Sequence, residues 1–217
     1  TMNSTRSVLY GYFSAKRQII GRPNSSLEEL WKRIIITDQI TYSRGQILEM
    51  LQPLLKPILC ADIPLLTPIC PDRELSSELK ATLLRIGHYI VCQCNSRYQD
   101  KNWSVKKWIE LTTRLITSGY SICFTGGVND ITYLHQIIEK LPKEKTFIAA
   151  GQASFGQTAR IIQNAVAYIG VDTATSHVAA ATGIPCICLY GPTAVDIWGP
   201  APVSYTHLRA HETSQDL

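Results

Sequence analysis

Residues 166–193 read VAYIGVDTATSHVAAATGIPCICLYGPT, and the order of features in this stretch decides the fold. An apolar run, 166–170, meets a turn bearing Asp172 and Thr173. A helical stretch of small residues, 174–182, follows, then the stop Gly183-Ile184-Pro185 and a second apolar run at 185–190. Two short apolar runs joined by a helix make a βαβ unit, because parallel strands need a long crossover rather than a hairpin. Ala179, Ala180 and Ala181 let that helix lie close on the sheet.

The same alternation extends upstream. Strands are predicted at 88–94, 120–125 and 146–150. Between them Val105, Trp108, Thr112 and Leu115 recur at helical spacing, with Ser104 as N-cap and Gly119 as the stop. Further helices are predicted at 72–86, at 130–141 ended by Pro142, and at 154–164 capped by Ser154. The predicted class is α/β, a Rossmann-like parallel sheet with helices on both faces. Residues 1–84 differ, with helical stretches at 27–34 and 43–55 and then Pro53, Pro57, Pro64 and Pro68, which read as an extended connection between lobes. The expected organisation is a lobe remnant with linker over 1–84, a Rossmann-like domain over 85–202, and a tail over 203–217 where the apolar periodicity breaks. Val203 to Thr213 resemble the translation of a sequencing-library adapter, so this tail is set aside as non-native, and its His207 and His211 with it. Both ends of the chain read as cut, and the first residues carry no secretory leader.

Composition removes several function classes. The chain is 45% hydrophobic and 18% charged with no apolar run near the ~18 residues of a membrane span. Its net charge of +4 is spread along the chain, which argues against a nucleic-acid partner. Seven cysteines, five of them in predicted strands, make a disulfide framework improbable and point to a reducing cytoplasm. Cys92/Cys94 and Cys186/Cys188 each face one side of a strand, and buried packing is preferred to a metal pair.

Ligands of open α/β sheets bind beyond the carboxyl ends of the strands. After the first predicted strand comes Asn95-Ser96-Arg97-Tyr98-Gln99-Asp100-Lys101-Asn102-Trp103, a set of amides, hydroxyl, cations and aromatics suited either to a phosphate or to a plain solvated loop. After the second come Gly126, Gly127 and Asp130, readable as a backbone approach with a ribose acceptor or as a tight turn with an N-cap. The spacing is not GxGxxG, so a dinucleotide oxidoreductase gains little support. The loop Gly151-Gln152-Ala153-Ser154 lines a base pocket or caps a helix. The densest constellation is Asp172-Thr173-Ala174-Thr175-Ser176-His177, readable as a structural histidine and an N-cap Asp or, as their joint placement at a strand-to-helix switch favours, as a helix N-terminus whose free N–H groups suit a diphosphate, with Thr hydroxyls beside it and His177 one turn in.

Lys101-x-Trp103, Gly126-Gly127 with Asp130, the Gly151/Ser154 loop, Asp172-Thr173-x-x-x-His177-x-Ala179-Ala180-Ala181-x-Gly183-x-Pro185 and Tyr190-Gly191-Pro192-Thr193 together resemble the C-terminal half of family 9 glycosyltransferases, the heptosyltransferase family of lipopolysaccharide core synthesis. The resemblance spans about residues 88–202. It implies a GT-B architecture whose C-terminal lobe holds an ADP-sugar, with no metal and no cofactor, and a lipid-linked saccharide acceptor at the cytoplasmic face of the inner membrane. Carried over, Asn95, Ser96 and Lys101 contact the diphosphate, Gly126 and Gly127 line the donor site, Asp130 meets the ribose, Ala153 the base, and Asp172, Thr173, Ala174 and His177 the phosphates and sugar. Lys101 and His177 would stabilise the leaving group. The general base is expected upstream of Thr1, so donor binding without transfer is the expected property of this chain. Two departures stand out: Ala174 replaces the family's usual Gly, and the loop from Asn95 to Lys101 is a residue longer. A non-catalytic nucleotide-binding module and a UDP-using epimerase of the same fold are the alternatives.

Overall fold

A computed structural model describes residues 74–200 with their side chains, and the backbone of residues 20–21, 38–39 and 205–209. The chain divides into two compact units, Thr1–Leu65 and Leu66–Leu217. In the first, the backbones of β1 (Ile20–Gly21) and β2 (Asp38–Gln39) pair in parallel. The helices expected at 27–34 and 43–55, and the Pro-rich stretch, lie outside the described residues.

The second unit is a parallel sheet in the order β5-β4-β3-β6-β7-β8. Its strands are β3 (Tyr89–Gln93), β4 (Ser121–Phe124), β5 (Thr146–Ile148), β6 (Ala167–Val171), β7 (Cys186–Tyr190) and β8 (Tyr205–Arg209). The first five match the predicted runs to within two residues at each end. β8 falls in the stretch set aside as a tail and pairs with β7 from Cys186↔Tyr205 to Tyr190↔Arg209. An edge strand joins through backbone groups alone, so many extended sequences can occupy that position.

The helices are α1 (Ser77–Ile86), α2 (Val105–Thr117), α3 (Ile131–Ile138), α4 (Phe155–Gln163), α5 (Ala174–Thr182) and the short α6 (Val195–Trp198). Serine caps start three of them: Ser76, Ser104 and Ser154 each accept a hydrogen bond from an N–H in the first turn. Strand alternation sorts the core into two layers. Tyr89, Val91, Tyr168, Cys186 and Cys188 face α1, α4 and α5, while Ile90, Cys92, Phe124, Ile169 and Val171 face α2 and α3. The five cysteines of the described residues are buried in these layers, and burial pushes the Cys92 thiol up to about 12, so it packs as a small hydrophobe.

The topology positions the site. The chain runs outward from β3 to β4 and β5, then crosses back to place β6 on the other side of β3. Strand order reverses between β3 and β6, and loops leaving those two strands diverge to open a crevice.

Candidate functional site

A cleft of about 1480 Å³ opens at that reversal, beyond the carboxyl ends of the strands. The loop after β3 contributes Asn95, Ser96 and Lys101. The loop after β4 adds Gly127 and Asp130, and the turn after β6 adds Asp172, Thr173, Ala174 and His177. Two expected residues are not in its lining. Gly126 lies against the Asp130 side chain, and Ala153 packs against the core layer under α4 and α5.

Lys101 and Asp172, 71 positions apart, meet across the crevice with Nζ donating to Oδ2 at 2.6 Å. Asp172 is 8% exposed and Lys101 21%, so the pair sits at the cleft floor. An ammonium carries three N–H donors. One is spent on Asp172, which leaves the others for an anion above. The Tyr98 ring flanks Nζ at 5.5 Å. Lys101 ends a tight turn, Gln99–Lys101, and that turn rests on Gly191. A Cβ on Gly191 would stand 2.6 Å from the Asp100 carbonyl oxygen and 3.2 Å from Lys101 Cα. The glycine of Gly191-Pro192-Thr193 is therefore what lets the lysine loop close down on the sheet.

The amide side of the cleft is a chain of hydrogen bonds. Asn95 donates through Nδ2 to Asp130 Oδ1 at 2.7 Å, and its own Oδ1 accepts from Asn102 Nδ2 at 2.6 Å. Asn102 Oδ1 accepts from the Ser96 N–H at 2.7 Å, so Asn102 ties the loop into one piece. Asp130 Oδ2 accepts from the Gly127 N–H at 2.8 Å, as the turn-capping reading of this residue requires. Each carboxylate oxygen keeps a further lone pair beyond these bonds. Ser96 Oγ accepts from the Tyr98 N–H at 3.2 Å, leaving its proton for a ligand. Trp103 packs edge-on to Trp108, with centroids 5.5 Å apart, and pins the start of α2.

Opposite stands the N-terminus of α5. Its N-cap, Thr173, is extended and makes no side-chain capping bond; its hydroxyl lies 2.8 Å from Thr175 Oγ1 instead. The first turn, which Thr173 leaves without a side-chain cap, lines the cleft at Ala174. His177 is half-buried one turn in. Burial holds its imidazole below the usual 6.5, and the nearby Asp172 carboxylate offsets part of that shift, so it is neutral at pH 7. The constellation of one cation, one helix start without a side-chain cap and convergent polar groups is chemically suited to a di-anion at its centre.

Sequence reasoning missed Asn102 and Gly191. Asn102 lay inside the quoted loop, and Gly191 inside a quoted motif without a stated reason.

The fold is a Rossmann-like α/β lobe of the GT-B type. The sequence matches glycosyltransferase family 9 (heptosyltransferase) over residues 68–216, and the chain belongs to that family. It is 31% identical over 130 residues to lipopolysaccharide heptosyltransferase 3 of Escherichia coli strain K12, covering 59% of this chain and 38% of that protein. Its structure is similar to the family 9 glycosyl transferase of Veillonella parvula DSM 2008, with a TM-score of 0.75 at 18% identity over 97% of this chain and 61% of that one. It is also similar to E. coli ADP-heptose LPS heptosyltransferase II, with a TM-score of 0.71 at 21% identity over 95% of this chain and 66% of that one. The chain thus spans well under half the length of the curated relative. Among the described residues no helix is long and apolar enough to cross a membrane.

Proposed function

We propose that this chain is the donor-binding part of a transferase that moves heptose from an ADP-activated donor to a lipopolysaccharide-core acceptor at the cytoplasmic face of the membrane. Residues 85–202 form the donor domain, 1–84 belong to the acceptor lobe and its connection, and 203–217 are non-native. Family membership supports the reaction class, and the observation that carries the donor reading is the Lys101–Asp172 pair facing the uncapped start of α5.

In this reading the acceptor hydroxyl attacks the anomeric carbon opposite to the departing ADP, inverting the configuration. Charge builds on the diphosphate as the glycosidic C–O bond breaks. Lys101 and the α5 dipole meet that charge with donors already in place, a preorganised arrangement worth ~2.7–4 kcal/mol per donor in transition-state stabilisation. No metal is required for this role. Asp130 faces the ribose, and His177 is placed to donate to a phosphate or a sugar hydroxyl once the anion raises its proton affinity.

One observation favours a second reading, a nucleotide-binding module without transfer. Both cleft carboxylates among the described residues are engaged by protein donors, Asp172 by Lys101 and Asp130 by Asn95 and Gly127, so neither stands ready as the base. Titration calorimetry with ADP and UDP tests the common ground. ADP should bind at least tenfold tighter than UDP, and Lys101→Met should weaken ADP roughly 100-fold. Equal binding of both nucleotides, or an unaffected Lys101→Met variant, overturns the donor reading. Sequencing the source DNA upstream of Thr1 then separates the transferase from the module: a frame that continues into a further lobe bearing an Asp supports the transferase, and a frame that starts near Met2 supports the module.

A further inference from the structure

Of the large apolar side chains that stand exposed among the described residues, only Tyr98 lines the cleft. Its backbone is braced on both sides. The Tyr98 N–H donates to Ser96 Oγ at 3.2 Å, and its carbonyl accepts from the Lys101 N–H at 3.1 Å. Asn102 holds Ser96 in turn, accepting from its N–H and donating to its carbonyl. The side chain, in contrast, is 62% exposed. A tyrosine ring on a fixed turn offers a large contact area and loses little freedom when a ligand meets it. Tyr98 also lies between the motifs shared with the family and in none of them.

Its neighbours set its place along the donor. Lys101 Nζ stands over the ring, 5.5 Å from the centroid, while it donates to Asp172 at the cleft floor. The ring is therefore level with the diphosphate that Lys101 would hold. A nucleotide-sugar has two groups joined directly to its diphosphate, the ribose and the transferred sugar. In the donor-binding reading the ribose falls to Asp130, on the loop after β4, and the base lies beyond the ribose. The sugar is left for the loop after β3. Chemistry agrees with that assignment, because a pyranose carries hydroxyls at its rim and C–H bonds on its faces. The electron-rich face of an aromatic ring attracts the positive end of a C–H bond as it attracts an ammonium.

We infer that Tyr98 is the platform for the transferred sugar: its ring packs on a C–H face of that sugar and so distinguishes the sugar-bearing donor from the free nucleotide. The inference rests on the donor-binding reading above. It adds to that reading a residue that recognises the sugar and not the nucleotide.

Calorimetry on the 217-residue chain with ADP and ADP-heptose tests it, using the wild type, Tyr98→Ala, Tyr98→Leu and Tyr98→Phe. Tyr98→Ala should weaken ADP-heptose roughly fivefold, the scale of one aromatic contact, and leave ADP within about twofold. Tyr98→Phe should keep the wild-type affinity, and Tyr98→Leu, apolar but not aromatic, should behave as Tyr98→Ala. Proton NMR supplies a readout that a merely structural role would not move. The Tyr98 ring current should shift the heptose ring protons upfield on binding, and Tyr98→Leu should abolish that shift. Equal losses for ADP and ADP-heptose assign the ring to the nucleotide and overturn the inference, as does unchanged affinity in Tyr98→Ala or an upfield shift that survives Tyr98→Leu. A wild-type chain that binds ADP but not ADP-heptose overturns the inference alone; one that binds neither overturns the donor reading and the inference with it. An exposed ring fills no core space, so the variants should fold, with circular dichroism spectra like that of the wild type.

Discussion

The starts of α4 and α5 differ in a way their sequences barely announce. Each follows a strand of the same sheet, and each has a hydroxyl residue at the N-cap. At α4, Ser154 Oγ accepts from the Gln157 N–H at 3.3 Å while Gln157 Oε1 accepts from the Ser154 N–H at 3.0 Å, a reciprocal box that satisfies the helix end internally. At α5, Thr173 turns its hydroxyl to Thr175 and leaves the first turn without a side-chain cap. The first helix follows edge strand β5; the second follows β6, beside the strand-order reversal and opposite Lys101. A helix end left unsatisfied by its own side chains is thus found where the topology brings a crevice and a cation to it.

The strongest way to break this contrast is to give α5 the cap that it lacks. Thr173→Asp supplies an acceptor to the first turn and sets a second carboxylate beside Asp172. A carboxylate about 4 Å from a bound phosphate at an effective dielectric of about 20 repels it by ~4 kcal/mol, so ADP affinity measured by calorimetry should fall by roughly 100-fold or more. Retained binding would show that the diphosphate does not sit at this helix. Gly191→Ala comes next. Its methyl group collides with backbone at Asp100 and Lys101, so the lysine loop must lift, and an order-of-magnitude loss of ADP affinity (~10-fold, about 1.4 kcal/mol) is expected with the circular dichroism spectrum unchanged.

A smaller effect sharpens the contrast through pH. His177 is neutral in the free chain because burial lowers its proton affinity, and a bound diphosphate raises it again. Binding therefore takes up a proton, and affinity for an ADP-sugar should rise a few-fold as pH falls from about 7 to about 5.5. The free chain has the opposite trend. Its folded His177 binds protons less well than the unfolded one, so stability is full above about 6.5 and declines as pH falls below it. A flat affinity profile, or one unchanged by His177→Gln, removes His177 from the anion site. Least of all should happen at α4: Ser154→Ala should cost about 1 kcal/mol in denaturant unfolding and leave ADP affinity within twofold. A clear loss of affinity there would place the Gly151–Ser154 loop in the donor site after all.

Much of the lobe was legible because it depends on local chemistry. Apolar runs and helical spacing located β3 to β7, and Ser104 and Ser154 cap where their sequences place them, since a cap needs only an N–H three residues away. The candidate site was legible as loops. Asp130 and Asp172 looked alike in sequence, each an acid after a strand, yet one closes its own turn and the other holds a lysine 71 positions distant. Ala153 and Gly126 looked eligible for the cleft and lie outside its lining.

By itself, then, the sequence determined the α/β class, the strand and helix positions, the family motifs and the helix starts, all set by contacts within a few residues. Only the tertiary structure decided which loops face one another. The reversal between β3 and β6 set Lys101 against Asp172 and Gly191 under the lysine turn. These pairings depend on strand order and on the space that a missing Cβ leaves. Both are properties of the packed sheet, and no short stretch of sequence contains them.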